Sequence, residues 1–329
     1  MPNKTAASGT DAVFRSGGRY ANGRNKGTLR ITLCGILFFL VILYGFSFIP
    51  RGSRERAMRS AFVNEKYAAA LDEIEIEQAS EKTTLYKKGE LWYGSSGGAV
   101  FPVEYAKVSE LIRHFTKVRN LYTISDDNDV ITDKDRPFVS VILQNSLNMS
   151  TKIYFFGQNF DRTRRFVRID GRDAAYAVET DCDTFLRSDA GFWLDPYIVP
   201  QNTEAGFIRA SDIQSLRMET GGIVTILNAG GRDFSENAAS LLALRHGGPA
   251  AATEVFSGTE AFAEAPSFSF AVETGSGFRF TATAEHGEGG TMTLRFDSFQ
   301  NTVTGARYEY RYRVSVSAWT LEKIVRLFQ

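Results

Sequence analysis

The sequence predicts an α+β protein in which an N-terminal single transmembrane helix is followed by two tandem, similar units of antiparallel sheet plus helix. Three observations predict this fold class: one long apolar run, many short segments with alternating apolar residues, and the recurrence of those segments in the second half. Short alternating segments joined by turns are typical of antiparallel strands. One amphipathic helix in each half would cover a face of its sheet.

The apolar run extends from Ile31 to Ile49, contains no charged residue and is flanked by Arg30 and Arg51. At about 1.5 Å per residue, such a helix covers roughly 28 Å, close to the ~30 Å hydrocarbon core of a bilayer. A cleaved signal peptide is the alternative, although its apolar core usually has only about 7–15 residues. We predict an uncleaved transmembrane helix over residues 29–50, anchored by Ile31, Leu37, Phe38, Phe39, Leu40, Val41, Ile42 and Leu43.

The orientation of this helix follows from the distribution of charge. Basic residues within twenty positions of the run are equally numerous on both sides, so the positive-inside rule alone does not decide. Residues 1–50 hold six basic side chains and one acidic side chain, whereas the rest of the chain holds 32 and 37. We therefore predict a single-pass protein of the inner (cytoplasmic) membrane, with a flexible basic cytoplasmic tail over residues 1–28 and a periplasmic main domain. Residues 51–70 are predicted to form a helical juxtamembrane stalk.

The first predicted unit spans residues 71–200. It begins with the alternating strand LDEIEIE and a hairpin over TTLYKKGELWYG, after which GSSGGAVFP breaks the pattern. A helix is predicted to begin at Pro102. Four strands are then expected to begin at Phe138, Lys152, Arg165 and Ala175, and DCDTFLRS closes the unit as a short helix.

The second predicted unit spans residues 201–329 and repeats this order. SDIQSLRME and GGIVTILNAGG supply a hairpin, and SENAASLLALRHG supplies a capped helix. Four further strands are predicted to begin at Ser267, Phe278, Thr291 and Tyr308, before the final helix SAWTLEKIVRLFQ. Because YAVETDCDTFL matches YRVSVSAWTLE at the two ends, we predict a tandem duplication.

The order of one span, the alternating strand, the run GELWYG, an apolar helix and then IYFFGQNFDRTRRFVRIDGRDAAYAVETDCDTFLR resembles the DUF4340-like family, a bacterial membrane-anchored domain family of unknown function. The resemblance covers residues 71–200 well and the second half as a weaker echo. It implies an accessory or structural role beside gliding-motility-type ABC transporter components. It implies no catalytic residues.

Residue types that carry chemistry are sparse and scattered. The histidines His114, His246 and His286 lack metal-ligand spacing, and Cys182 has no partner cysteine in the main domain. Asp181 with Asp183, and the acidic stretch from Ser125 to Asp135, are weak candidates for a hard cation. The sequence therefore predicts no enzyme, no catalytic or metal residues and no cofactor. The net negative charge of the main domain argues against nucleic acid as a partner.

The segment FDRTRRFVRIDGR contains the candidate site for an anionic or protein partner, formed by Arg162, Arg164, Arg165, Arg168 and Arg172. The alternative interpretation is a charged hairpin that protects a sheet edge, because Asp161, Asp170 and Asp173 are interleaved with the arginines.

Two functional hypotheses follow from the sequence. The first is a membrane-anchored, extracytoplasmic, non-enzymatic accessory or scaffold protein, whose partners are the lipid bilayer and other membrane proteins of a transporter-like complex. The second is an extracytoplasmic module that binds a small ligand or glycan in a cleft between the two units. That cleft would be lined by aromatic residues such as Trp92, Trp193 or Tyr197.

Overall fold

The computed structural model describes residues 57–124, 133, 137–203, 206–247, 268–286, 292–296, 299–300, 303, 305, 307–308 and 310–329. These residues belong to one compact unit, 56–329, that is mostly β-structure in two antiparallel sheets. No helix in these ranges is both long and apolar enough to cross a membrane. The predicted tail and anchor, residues 1–50, lie outside the described residues.

The first sheet has ten strands. They are β1 (Ala57–Ser60), β2 (Leu71–Gln78), β3 (Glu81–Lys88), β4 (Leu91–Ser96), β5 (Ala99–Pro102), β6 (Arg119–Thr123), β7 (Val139–Asn145), β8 (Ser150–Gln158), β9 (Arg164–Ile169) and β10 (Ala175–Glu179). Their order across the sheet is β1-β6-β10-β9-β8-β7-β2-β3-β4-β5.

The second sheet has six strands, and two small ribbons accompany it. The ribbons are β11 (Asn202–Thr203) with β12 (Gly206–Phe207), and β18 (Phe299–Gln300) with β19 (Arg307–Tyr308). The sheet contains β13 (Ile213–Thr220), β14 (Ile223–Asn228), β15 (Phe268–Thr274), β16 (Arg279–His286), β17 (Met292–Phe296) and β20 (Tyr312–Val316). Their order is β14-β13-β15-β16-β17-β20.

The six strands of the second sheet have the same order as six consecutive strands of the first, β3-β2-β7-β8-β9-β10. Both opening hairpins have a two-residue loop, since Gln78 pairs with Glu81 and Thr220 pairs with Ile223. Both also carry a bulge at the same place, where the register shifts after Leu71 in β2 and after Ile213 in β13. The predicted hairpin and four-strand series therefore occur in both halves, but the last strand begins at Tyr312 rather than at the predicted Tyr308, which belongs to the short ribbon strand β19.

The helices are α1 (Glu65–Ala69), α2 (Tyr105–Thr116), α3 (Ala190–Trp193), α4 (Phe234–Leu242) and α5 (Ala318–Arg326), together with 3-10 helices at Thr180–Phe185 and Ala210–Asp212. In α2, residues at helical spacing, including Val108, Leu111 and Phe115, are fully or almost fully buried. Ser317 caps α5 by accepting a hydrogen bond from the Thr320 amide at 3.1 Å.

The two sheets meet at their outer strands. Val100 in β5 and Arg311, which precedes β20, exchange backbone hydrogen bonds of 3.2 and 2.8 Å. Beside this bridge, the rings of Tyr93 and Tyr310 lie 5.7 Å apart. The β5 edge of the first sheet is therefore in contact with the β20 edge of the second.

Three further details of the sequence prediction are wrong. GSSGGAVFP does not interrupt the sheet: it contributes to the β4–β5 hairpin, where Gly97 and Gly98 supply the positive φ angles of 56° and 89° that a two-residue loop needs. Pro102 ends β5, and the helix begins only at Tyr105. The predicted helical stalk is wrong at the start of its described part, where β1 pairs with β6, whereas α1 forms a short helix near its end. The predicted four-strand series of the first unit is confirmed at β7 to β10.

Candidate functional site

The five arginines predicted to form a partner patch do not share one surface. Side chains alternate along β9, so that Arg164 and Arg168 point to one face while Arg165 lies with Val167 and Ile169 on the buried face. Arg162 occupies an exposed turn with φ of 58°. The predicted patch is therefore divided between two faces of the sheet and its turns.

Two of these arginines hold the fold together. Arg165 is only 7% exposed and donates through Nε and one terminal nitrogen to the two carboxylate oxygens of Asp183, at 2.7 and 2.8 Å. Arg172 donates to the backbone carbonyl oxygen of Ala61 at 2.9 Å. Arg164 places its guanidinium 3.8 Å from the centre of the Tyr122 ring.

The 3-10 helix Thr180–Phe185 brings a second ionic group together. Asp181 accepts hydrogen bonds from Arg119 at 2.6 Å and from Lys117 at 2.8 Å, and His114 Nδ1 lies 3.5 Å from its carboxylate. Burial raises the pKa of Asp181, but the hydrogen bonds and charges of Lys117 and Arg119 outweigh this effect and leave the pKa below its usual value. Burial also lowers the pKa of His114.

The ion pairs concern the residues that the sequence analysis considered for cation binding, and Cys182 lies between two of them. Asp181 and Asp183 each bind cationic side chains, and the described residues contain no group of three or more potential metal ligands. Asp133 is the only acidic residue of the predicted acidic stretch that the structure describes. Cys182 is free and buried, and burial raises its pKa to about 12, so its thiol remains protonated at neutral pH.

A buried carboxyl group lies in the segment of chain between the strands of the first sheet and those of the second. Asp195 accepts hydrogen bonds from the amides of Tyr197 at 3.0 Å and Gln201 at 3.3 Å, and its own amide donates to Pro102 of the first unit. Its backbone carbonyl oxygen accepts a 2.7 Å bond from His246 Nε2 of the second unit. Burial raises the pKa of Asp195 to about 6 and lowers the pKa of His246. This junction can therefore respond to pH, but its imidazole is bonded to a carbonyl rather than to the carboxylate.

The aromatic residues proposed to line a ligand cleft do not lie together around a cleft: two are in the core and one contacts an arginine. Trp193 is fully buried and donates to the carbonyl oxygen of Arg187 at 2.7 Å. Trp92 is also part of the core. Tyr197 lies beneath the Arg245 guanidinium and accepts a 3.0 Å bond from it. A surface depression of about 370 Å³ lies elsewhere, between Phe207, Gln214 and Thr274.

The most exposed apolar strand is β14, which the sequence predicted as a strand but not as an edge. It pairs with β13 and has no strand on its other side in the described part of the chain. Ile223, Val224 and Ile226 are 73%, 43% and 53% exposed, respectively. A mostly apolar run such as IVTIL usually indicates a buried strand, so its exposure at an edge marks β14 as a candidate interaction surface.

The chain was compared with protein-family models, curated proteins and solved structures, and none of the three comparisons gave a match.

Proposed function

We propose that this chain is a single-pass membrane protein whose extracytoplasmic domain is a non-enzymatic accessory or scaffold in an ABC-transporter-linked complex of the inner membrane. The observation that carries the scaffold role is the apolar, exposed edge strand β14. Proteins usually protect such edges with charges, prolines or a covering element, because an open edge pairs with other chains. An aliphatic edge is therefore suited to bind protein by strand addition.

The ionic groups in the first unit support a structural rather than a chemical role. Arg119, Arg165 and Asp181 have hydrogen-bond partners from several elements, and each partner fixes the position of a strand or helix. The protonated, buried thiol of Cys182 is unsuited to act as a nucleophile. These contacts stabilise the first sheet and the helices packed on it.

The proposal includes a tandem duplication as the origin of the two units, with limits near residues 71–200 and 201–329. The shared strand order, the equal hairpin loops and the bulge at equivalent positions support it. A chance similarity of two meanders would not require the bulge to fall at the same register.

The scaffold role can be tested by purifying the full chain from membranes in a mild detergent and identifying the bound proteins by mass spectrometry. We expect transporter-type membrane proteins to co-purify with the native chain, and Val224→Lys to reduce their recovery. Val118→Lys is the matched control, because Val118 is similarly exposed but lies in the first unit. Recovery of the chain without other membrane proteins would contradict the proposal.

The predicted orientation can be tested in the same cells. Protease added outside spheroplasts should degrade residues 57–329 while leaving an N-terminal epitope intact. Protection of the main domain would overturn the extracytoplasmic location.

A further inference from the structure

The open edge of β14 presents a regular set of backbone groups. Thr220 and Ile223 flank a two-residue loop, so they form a hydrogen-bonded pair, and bonding to β13 then recurs at every second residue. The amide of Ala229 continues this pattern by donating to the carbonyl oxygen of Gln214 at 2.8 Å. The backbone N–H and C=O groups of Val224, Ile226 and Asn228 therefore point away from β13, toward the open side.

The side chains of β14 are uncharged, which is unusual for an open edge. The equivalent positions in the first sheet show the contrast: Ile223 and Val224 correspond to Glu81 and Lys82, since both pairs follow the same two-residue loop. Charge is present one strand further in, where Arg217 and Glu219 lie 3.5 Å apart on β13. An incoming strand would therefore meet aliphatic side chains directly and no charged ones.

We infer that a second copy of this chain occupies this edge, with the two β14 strands antiparallel and related by a twofold axis through Thr225. The inference rests on the proposed scaffold function and specifies what occupies β14: this edge joins two copies of the chain, and the other membrane proteins bind the dimer, so that Val224→Lys lowers their recovery by weakening the dimer. Because β14 carries no charge, two copies can pair without placing like charges opposite each other. A twofold pairing is also closed, so it gives a dimer rather than an open chain of subunits.

The position of the axis follows from matching the side chains. With Thr225 opposite Thr225 of the second copy, Val224 lies opposite Ile226 and Ile223 lies opposite Leu227, so that every aliphatic residue meets an aliphatic residue. β-Branched and threonine pairs of this kind stabilise antiparallel strands. The outward backbone groups of Val224 and Ile226 meet in this register and form the hydrogen-bonded pairs.

The Thr225 residues of the two copies then form a non-hydrogen-bonded pair, in which the two Cα atoms lie roughly 4.5 Å apart. This distance is within the range that a disulfide bridges. The test is Thr225→Cys in the full chain, in a Cys34→Ser background, reconstituted in nanodiscs and oxidised mildly. The matched control is Ser146→Cys, in an exposed turn of the first sheet.

We expect roughly tenfold more disulfide-linked dimer from Thr225→Cys than from Ser146→Cys, because pairing raises the effective concentration of the two thiols. Equal crosslinking of the two variants would overturn the inference. A native chain that remains monomeric by light scattering at micromolar concentration would also overturn it.

A second variant copies the charges of the first sheet into the open edge: Ile223→Glu together with Val224→Lys. Both side chains are exposed, so the melting temperature should change little, while dimer dissociation should become at least about tenfold more favourable. A double variant that keeps its fold and dimerises as tightly as the native chain would contradict the inference.

The two proposals can fail separately. If Val224→Lys abolishes co-purification of other membrane proteins but Thr225→Cys forms no homodimer, the scaffold role stands and the second copy is excluded as the occupant. If Thr225→Cys crosslinks efficiently and no other protein co-purifies, the self-association stands and the proposed complex is wrong.

Discussion

Six strands have the same order in the first sheet and in the second, but the strands that flank them differ. In the first sheet, β3 continues into the β4–β5 hairpin, and β6 with β1 extends the sheet beyond β10. In the second sheet, β14 ends the array within the described residues, and β20 lies against the first sheet through the Val100–Arg311 bridge. The comparison teaches that one strand order can be extended at both ends, as in the first sheet, or can end at an open edge, as in the described part of the second sheet, where we propose that binding occurs.

The helices that follow the last strand of each sheet are held in place by different interactions. The 3-10 helix of the first unit is held by ion pairs from Asp181 and Asp183, whereas α5 of the second unit buries Leu321 and Ile324. Apolar burial is insensitive to charge changes, while a buried ion pair is costly to break on one side. The first unit should therefore be the more sensitive to mutation of charged residues.

The largest effect is expected from Asp183→Ala. It leaves the buried Arg165 guanidinium without its carboxylate, and we expect the free energy of unfolding to fall by about 4 kcal/mol. Denaturant unfolding measures this change. Glu322→Ala removes the carboxylate of an exposed pair with Arg326 in α5 and should change stability by less than about 0.5 kcal/mol. Similar losses in the two variants would contradict the contrast between the units.

The next effect concerns pH at the junction between the units. The pKa of Asp195 is raised from 3.8 to about 6, so the folded state binds this proton more tightly than the unfolded chain. The stabilisation is fully present below about pH 4 and is lost as the pH rises through about 6. Asp195→Asn removes this titration, so the native chain should gain about 3 kcal/mol relative to the variant between pH 8 and pH 3.

The measurement for Asp195 is the unfolding free energy of both chains across that pH range. His246, whose pKa is lowered, contributes with the opposite sign, but it is present in both chains and largely cancels in the difference. A difference that does not change with pH would show that Asp195 titrates normally.

A smaller effect is expected from Gly94→Ala in β4. The added Cβ would lie 2.2 Å from Cε2 of Phe101, whose ring is fully buried across the strand pair. Because the ring must move, we expect a loss of about 2 kcal/mol, measured by thermal unfolding. Gly157→Ala is the control, since its Cβ would meet no atom within 4 Å. Equal stability of the two variants would show that the β4–β5 hairpin is not closely packed.

The smallest effect is expected in the second sheet from Glu285→Gln. Glu285 lies 3.4 Å from Arg295 and from Arg313, which are paired with each other on neighbouring strands. Loss of the carboxylate charge leaves two partly buried guanidiniums side by side, and we expect a loss of about 1 kcal/mol at low salt. Added salt should reduce this difference, and a difference independent of salt would exclude the electrostatic explanation.

Much of the fold could be predicted because alternation is a local signal. β2, β7, β9 and β10 begin within one residue of their predicted positions, since β2 and β9 alternate apolar and polar side chains, and β7 and β10 are short, mostly apolar runs between turns. The β4–β5 hairpin was missed because the glycines and Pro102 that permit its loop and its end also resemble a simple break. Alternation along RRFVRI places Arg165 on the same face as Val167 and Ile169, so proximity in sequence alone does not predict a common surface for the arginines.

The candidate site was harder to predict because an edge is defined by absent neighbours. The run IVTIL indicates a strand, but its sequence does not state how many strands lie beside it. The ion pair between Arg165 and Asp183 depends on the distance between two elements in space, which no local pattern specifies. The open edge and this ion pair can therefore be identified only once the arrangement of the elements in space is known.

The most direct test of the open edge is amide hydrogen exchange in β14 of the full chain, measured over a range of protein concentrations. Thr225 and Leu227 bond to β13 and should be protected throughout, whereas Val224 and Ile226 should become protected only as concentration rises and the second copy binds. Fast exchange of Val224 and Ile226 at every concentration would contradict the account.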